Sequence, residues 1–276
     1  FKKKNREKII LADKVVGSSS MAWLRPNGEK ACLNKKQIEF AIDRSLKDLK
    51  TDYIDLYQVH WPDRPSGAFS GKLEYEHKNS KNSVSIEETL EALNNLVKSG
   101  KVRHIGISNE TAWGANQYLK YSEQKKLARI VSIQNAYNFL NRGFEVSLSE
   151  ISIREKVGLL AYSPLASGYL SGKYRNGAMP KNSRMDLFYD YWPRYRTIHS
   201  EKAIEEYWNL AKNFNLNIAQ MAIKFCEIQP FVTSVIIGAT TLEQLKTNID
   251  SVDINLNTEI IKKIGEIHKK YLNPCP

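Results

Sequence analysis

Two side chains stand where a protein of alternating strands and helices places its chemistry. One strand-like run ends in Ala12-Asp13-Lys14 and a second in Gln58-Val59-His60-Trp61-Pro62. Adjacent strand ends would bring this lysine and histidine together at the mouth of a barrel. There an ammonium can tune the proton affinity of a neighbour and an imidazole can polarise a carbonyl. Taken alone, each has an ordinary reading, Lys14 as a solvated lysine and His60 as a satisfied hydrogen bonder. The elements that carry them decide between the readings.

Short β-rich runs alternate with longer segments of helical period, the pattern of βαβ units on a parallel sheet. The runs Lys8 to Ala12, Tyr53 to Val59, Val102 to Ile107, Ile130 to Gln134, Val157 to Tyr162 and Val232 to Ile237 are predicted strands. Helices are predicted over Asn34 to Leu49, Ser85 to Lys98, Thr111 to Lys126, Phe144 to Glu155, Ser200 to Asn213, Ile218 to Ile228, Thr241 to Ser251 and Thr258 to Tyr271. In the first of these, Ile38, Ala41, Ile42, Leu46 and Leu49 form one apolar stripe. Ser85-Ile86-Glu87-Glu88 opens the second with a capping-box pattern, and Gly100 is placed to end it.

Two segments, 62–83 and 167–197, are rich in Gly, Ser, Asn, Pro and aromatic residues. Each follows a strand, so both are expected to rise as loops from the active-site face of a barrel. A doubly wound open sheet competes with the barrel, but it normally carries Gly-x-Gly-x-x-Gly after its first strand, and that fingerprint does not occur here. The expected fold is therefore α/β, a TIM (β/α)8 barrel, with residues 1–276 as a single domain. Eight strands are needed and six are predicted, so this chain is expected to hold roughly the last six βα units. Two units, of about 30 residues each, are expected before Phe1.

Composition narrows the function classes. The chain has 276 residues, 42% hydrophobic and 26% charged, enough for one substantial core. Its longest apolar runs are strand-sized, which excludes a spanning helix or signal peptide of the usual kind and implies a cytoplasmic protein. Cys32, Cys226 and Cys275 are isolated, suggesting neither a zinc site nor a disulfide framework. The formal charge of +11 is dispersed over Lys2-Lys3-Lys4, Lys35-Lys36, Lys125-Lys126, Lys262-Lys263 and Lys269-Lys270, as on solvated faces. Nucleic-acid binding is not expected from that pattern.

Further motifs then occur in series: Tyr53 to Pro62, Gly100-Lys101-Val102-Arg103-His104-Ile105-Gly106-Ile107-Ser108-Asn109, Gln134-Asn135, Ala161-Tyr162-Ser163-Pro164-Leu165, Ser171-Gly172-Lys173-Tyr174 and Gly238-Ala239-Thr240-Thr241. In kind and order they resemble the signatures of the aldo-keto reductase superfamily over essentially the whole chain. His60-Trp61-Pro62-Asp63-Arg64-Pro65, the loop after it and Ser108-Asn109-Glu110-Thr111 are most similar to the bacterial NADP(H)-dependent Tas-like branch. Similarity to the β-subunits of voltage-gated potassium channels is more distant.

The resemblance implies a tetrad of Asp, Tyr, Lys and His, in which Lys14 is the lysine and His60 the histidine. The Asp and Tyr belong to a motif resembling Asp-x-Ala-x-x-Tyr-Gly, which does not occur in this sequence. The family's tyrosine donates the proton when hydride reaches a carbonyl carbon; its lysine lowers the phenol's proton affinity, and its histidine orients the substrate oxygen. The chain as written is therefore expected to have little reductase activity.

NADPH is the implied cofactor. Ser108, Asn109 and Gln134 should hold its carboxamide, and Tyr162 should stack on the nicotinamide. Ser163, Pro164, Leu165, Ala166 and Ser167, followed by Lys173, resemble the loop over the pyrophosphate. Arg184 matches an arginine that reaches the adenosine phosphate and so favours NADPH over NADH. Gly238, Thr240, Gln244 and Asn248 match positions that contact the phosphate end, whereas Thr247 departs from the usual glutamate. Without the resemblance, Gln134 would read as a strand cap and Tyr162 as a core aromatic.

Trp61, Trp113, Phe188, Tyr189, Tyr191 and Trp192 make the expected loops aromatic. They suit an apolar aldehyde or ketone, or equally the packing of loops onto the barrel. Two functions follow: an NADPH-dependent carbonyl oxidoreductase, or a non-catalytic nicotinamide-binding subunit that reports redox state to a partner. No metal, membrane or nucleic acid is expected, and the sequence does not set the oligomeric state.

Overall fold

The computed structural model describes residues 3–67, 74–191 and 193–276. These residues cluster into two compact units, one within 1–69, 74–134 and 154–158 and the other within 135–153 and 159–276.

The first unit carries β1 (Ala12–Val15), α1 (Lys35–Leu49), β2 (Ile54–Val59), α2 (Ile86–Lys98), β3 (Val102–Ser108), α3 (Ala112–Lys125) and most of β4 (Ile130–Ala136). All neighbouring pairs are parallel, as strand-helix alternation requires. Lys14 pairs with Gln58, and Gln58 with Gly106, so the three residues share one face of the sheet. The helix caps follow the sequence: Asn34 accepts from Gln37 N–H and Ser85 from Glu88 N–H. Gly100, at φ 76°, turns the chain just past α2. The opposite face of the strands, with Tyr57, Val59, Ile105 and Ile107, is buried along with Ile38 and Ile42 of α1 and Leu90 and Leu93 of α2.

The amino end departs from the predicted strand. Lys3–Lys8 forms a 3-10 helix and β1 begins only at Ala12, so Lys14 lies inside β1 instead of past its end. The cause is Arg6. Its guanidinium donates to Thr51 Oγ1, Ile9 O and Tyr53 O and pairs with Asp55 at 2.7 Å. That anchor curls the Lys8 segment where its apolar residues alone would read as extended.

The second unit carries α4 (Leu148–Arg154) up to residue 153, β5 (Gly158–Tyr162) from residue 159, α5 (Arg184–Phe188), α6 (Ser200–Asn213), α7 (Ile218–Glu227), β6 (Val232–Val235), α8 (Leu242–Ile249) and α9 (Thr258–Lys270). β5 and β6 are parallel. The core here is aromatic: Phe139 stacks on Tyr207 at 4.4 Å, and Tyr137 meets Phe231 edge-on at 5.4 Å.

One prediction for this unit needs correcting. The helix expected over Phe144 to Glu155 is a 3-10 turn, Gly143–Val146, and then α4, broken at Ser147 where ψ is −40° and φ −147°. Within the expected loop 167–197 the chain forms α5 and short 3-10 turns, among them Arg175–Gly177, Tyr189–Tyr191 and Pro193–Tyr195. In the loop 62–83, residues 68–73 lie outside the described residues, as does Trp192. Among the described residues no helix is long and apolar enough to cross a membrane. The three cysteines are free, and burial pushes the Cys275 thiol up to about 12, which leaves it protonated.

Candidate active site

In the first unit the chain passes β1 and turns at Gly17, which has no room for a side chain. A Cβ there would lie 2.3 Å from Trp61 O and 2.7 Å from Pro62 O. Glycine thus lets the segment after β1 close against the end of β2. Trp61 Nε1 donates to Ser18 O at 3.2 Å, and His60 N–H donates to Val15 O at 2.8 Å. Lys14 and His60 are brought to adjacent strand ends in this way.

Burial and charge set their proton affinities. Burial draws the Lys14 ammonium below the ordinary lysine range, with Asp13 opposing it. Burial, and then the Lys14 charge, pushes His60 down to about 4, again against Asp13. At neutral pH His60 is therefore an uncharged imidazole, able both to donate and to accept. Its ring lies against Trp61, with centroids 4.6 Å apart.

Ser108, Asn109 and Gln134 do come together, as a brace. Ser108 Oγ donates to Gln134 O at 2.6 Å, and Asn109 N–H donates to the same carbonyl at 3.0 Å. Asn109, in the left-handed region at φ 51°, directs its amide N–H to His60 O at 2.8 Å and to Ser108 Oγ at 3.1 Å. The trio ties the ends of β2, β3 and β4. Trp113, 59% exposed, stands apart from this brace. It packs on Arg64, which donates to the buried Glu110, and lines a cavity of about 220 Å³ with Pro62, Asp63 and Tyr118.

The second unit gathers the other expected residues. Tyr162 ends β5; its carbonyl accepts from Tyr137 N–H at 3.2 Å, and its phenol oxygen accepts from Arg194 at 3.4 Å. The chain then turns sharply, with Ser163, Ala166, Ser167 and Gly168 all at positive φ. Pro164 and Leu165 fill the turn, whose shape is held by Ala166 N–H to Ser163 O and Gly168 N–H to Leu165 O. Asn138 Nδ2 clamps Ser163 O at 2.9 Å. Ser167 Oγ is buried with no partner, and Lys173 reaches the same turn: a Cβ on Gly168 would lie 3.3 Å from Lys173 Nζ. The Ala166 and Gly168 N–H groups are spent inside the turn, so what it offers an anion is the unpartnered Ser167 hydroxyl with the Lys173 ammonium beside it.

Arg184 is an exposed residue in the first turn of α5, behind the Ser183 cap. After β6, Thr240 donates through N and Oγ1 to Gln244 Oε1, while the buried Asn248 donates to Gly238 O at 3.2 Å. Gln244 and Asn248, from within α8, thus tie down Thr240 and Gly238 of the turn that precedes the helix.

The sequence reading missed three residues near Lys14. Gln58 is fully buried, yet neither its Oε1 nor its Nε2 has a partner, and the nearby buried Ser132 Oγ has none either. Between them lies Gly106, where a Cβ would meet Ser132 Oγ at 2.6 Å and Gln58 Cγ at 3.2 Å. The signal was available in part, since Gln58 precedes His60 by two residues and a strand repeats its faces every second residue. For Asn138 and Arg194 the sequence carries no comparable signal.

Comparison with known proteins gives a family. Residues 1–269 match the aldo/keto reductase family. The chain is 47% identical to Protein tas of Escherichia coli (strain K12) over 274 residues, covering 99% of this chain and 78% of that relative. It is 37% identical to an aldo-keto reductase of Babesia bovis, covering 97% of this chain and 98% of that one. A probable voltage-gated potassium channel subunit beta of Arabidopsis thaliana is 29% identical, over 92% of this chain and 73% of its own length.

Proposed function

This chain belongs to the aldo/keto reductase family, and from that premise we propose that it binds NADPH and acts on the carbonyl of an aldehyde or ketone, reversibly oxidising the alcohol. The observation that carries the reading is the pair formed by the half-buried Lys14 and the neutral His60 at adjacent strand ends. The strand-helix order is that of a (β/α)8 barrel, the fold we assign with the family.

NADPH supplies hydride when bound. Lys14 is placed to tune the proton affinity of a neighbouring donor, and the His60 N–H to orient the substrate oxygen. In the second unit the left-handed turn with Ser167 and Lys173 takes the pyrophosphate. Arg184, with Gly238, Thr240, Gln244 and Asn248, takes the adenosine end. The buried, unpartnered Ser167 hydroxyl supports that fit. Ser108, Asn109 and Gln134 hold the carboxamide, Tyr162 stacks on the ring, and Trp61 and Trp113 line the substrate approach.

Fluorescence titration with NADPH tests the binding. Lys173→Met is expected to weaken it about tenfold or more, the worth of one charge-assisted hydrogen bond, and Ser167→Ala by less. Equal affinity for NADPH in the Lys173→Met variant removes this assignment, and failure of the chain to bind either nicotinamide removes the reading.

Catalysis asks for more. The Asp-x-Ala-x-x-Tyr-Gly motif implied by the resemblance is not among these residues, and neither an ammonium nor a neutral imidazole replaces a phenol. This polypeptide is expected to bind NADPH but to consume it slowly with 4-nitrobenzaldehyde. A second reading is a nicotinamide-binding subunit without turnover, for which the likeness to a probable channel subunit beta is support. Rapid carbonyl-dependent oxidation of NADPH overturns both the slow turnover and that second reading.

A further inference from the structure

A buried amide with no hydrogen bond is costly, and Gln58 carries one at the centre of the first unit. It is fully buried on β2, with both amide atoms unpartnered. A leucine of similar size would fill the position without that cost. Its surroundings are specific. Gln58 is the register partner of Lys14, and His60 follows on the same face two residues later. The register partner on its other side is Gly106, over which Gln58 Cγ and the unpartnered Ser132 Oγ converge. The Lys14 ammonium likewise makes no hydrogen bond or ion pair among the described residues. Amide, hydroxyl and ammonium thus share one layer of the sheet without touching.

We propose that Gln58 is a positioning residue: together with Ser132 it forms a polar floor that holds the Lys14 ammonium, through a shared buried water, at the height of His60. Polar groups buried beyond direct reach of one another are characteristically joined by such a water. The amide oxygen and the hydroxyl accept, the water donates to them, and the ammonium donates to the water. Lys14 then keeps its charge despite burial, and its direction is fixed relative to the imidazole. Gly106 belongs to the device, because any side chain there would displace Ser132 Oγ. The ionisable groups whose charges act with Lys14 are Asp13, beside it on β1, and His60, which shares its face from β2. The inference rests on the carbonyl-reductase reading only for the purpose of that charge.

The test reads Lys14 directly, by acetic anhydride labelling across pH with mass spectrometry of the Lys14 peptide, on the full chain. Gln58→Leu is expected to lower the Lys14 midpoint by about one pH unit and Gln58→Glu to raise it by about as much. Ser132→Ala is expected to lower it by less. Urea midpoints should be unchanged or higher for Gln58→Leu, and NADPH dissociation constants should stay within about twofold throughout. A packing role alone predicts the same stability trend with no movement of Lys14. Lys14 midpoints within about 0.2 units of wild type in all three variants overturn the proposal. Should Gln58→Leu fail to fold, Ser132→Ala, which removes a single oxygen, decides the matter. If the unmodified chain does not bind NADPH, the reductase reading falls while the Lys14 titration still stands or fails by itself.

Discussion

Asp55 and Gln58 lie on one strand, β2, in opposite surroundings. Near the amino end, Asp55 accepts from Leu11 N–H at 2.9 Å, pairs with Arg6 at 2.7 Å and accepts from Arg103 at 3.0 Å. Both guanidiniums also lie over the Tyr53 ring, 3.8 and 4.0 Å from its centroid. Toward the carboxyl end, the Gln58 amide and the Ser132 hydroxyl have no partners and Lys14 is half-buried beside a neutral His60. In parallel α/β proteins the two ends divide stability from chemistry. Here the division shows in the charges: they are paired where the strands are anchored and left to be matched where they are to act, although an unpartnered buried hydroxyl, Tyr53 Oη, occurs at the anchored end too.

The largest effect should come from the anchored end. Asp55→Ala leaves Arg6, whose side chain is 9% exposed, without its carboxylate, and should cost about 3 kcal/mol or more in urea unfolding. NADPH affinity of the folded fraction should not change. A loss of affinity without a loss of stability would erase the distinction between the ends.

Gly17→Ala probes the acting end through its main chain. With Trp61 O only 2.3 Å from the new Cβ, the expected cost is about 1–3 kcal/mol, together with movement of the Trp61 fluorescence. A neutral result would mean that the carboxyl end is loosely held, and that its unpartnered groups reflect slack instead of preparation.

The smallest effect is electrostatic. The His60 imidazole, followed by NMR, should titrate near 4, and Lys14→Met should raise that midpoint by about half a unit by removing the adjacent positive charge. An unperturbed midpoint near 6.5 would break the account of this end. Acid separates the two ends as well. His60 has a depressed folded-state affinity, so its contribution is whole above 6.5 and lost as pH falls toward about 4. Burial alone would raise the Asp55 carboxyl, but Leu11 N–H, Arg6 and Arg103 together hold it below the ordinary carboxylate value of 3.8. Its contribution is whole above that value and is lost only in stronger acid.

Much of this was legible in the sequence, unevenly and for physical reasons. Period located α1 and a capping box α2, because the apolar stripe of Ile38, Ala41, Ile42, Leu46 and Leu49 and the Ser85 hydroxyl act locally. The first strand was misplaced because the force that curls residues 3–8 comes from Asp55 and Tyr53, far along the chain. Phe144 to Glu155 read as one helix because nothing in its composition marks the break at Ser147. Lys14 and His60 were found because strand ends and residue type suffice to nominate them. Gln58 was missed because its meaning lies in having no partner, and the lack of a partner is a property of three dimensions.

The double stacking on Tyr53 bears on how the chain folds as it is made. Residue 6 is completed by residues 51, 53 and 55, and the cluster gains its second guanidinium only when residue 103 arrives. The amino end of the first unit thus waits for β3 before its anchor closes, a loop-closure delay that grows with sequence separation.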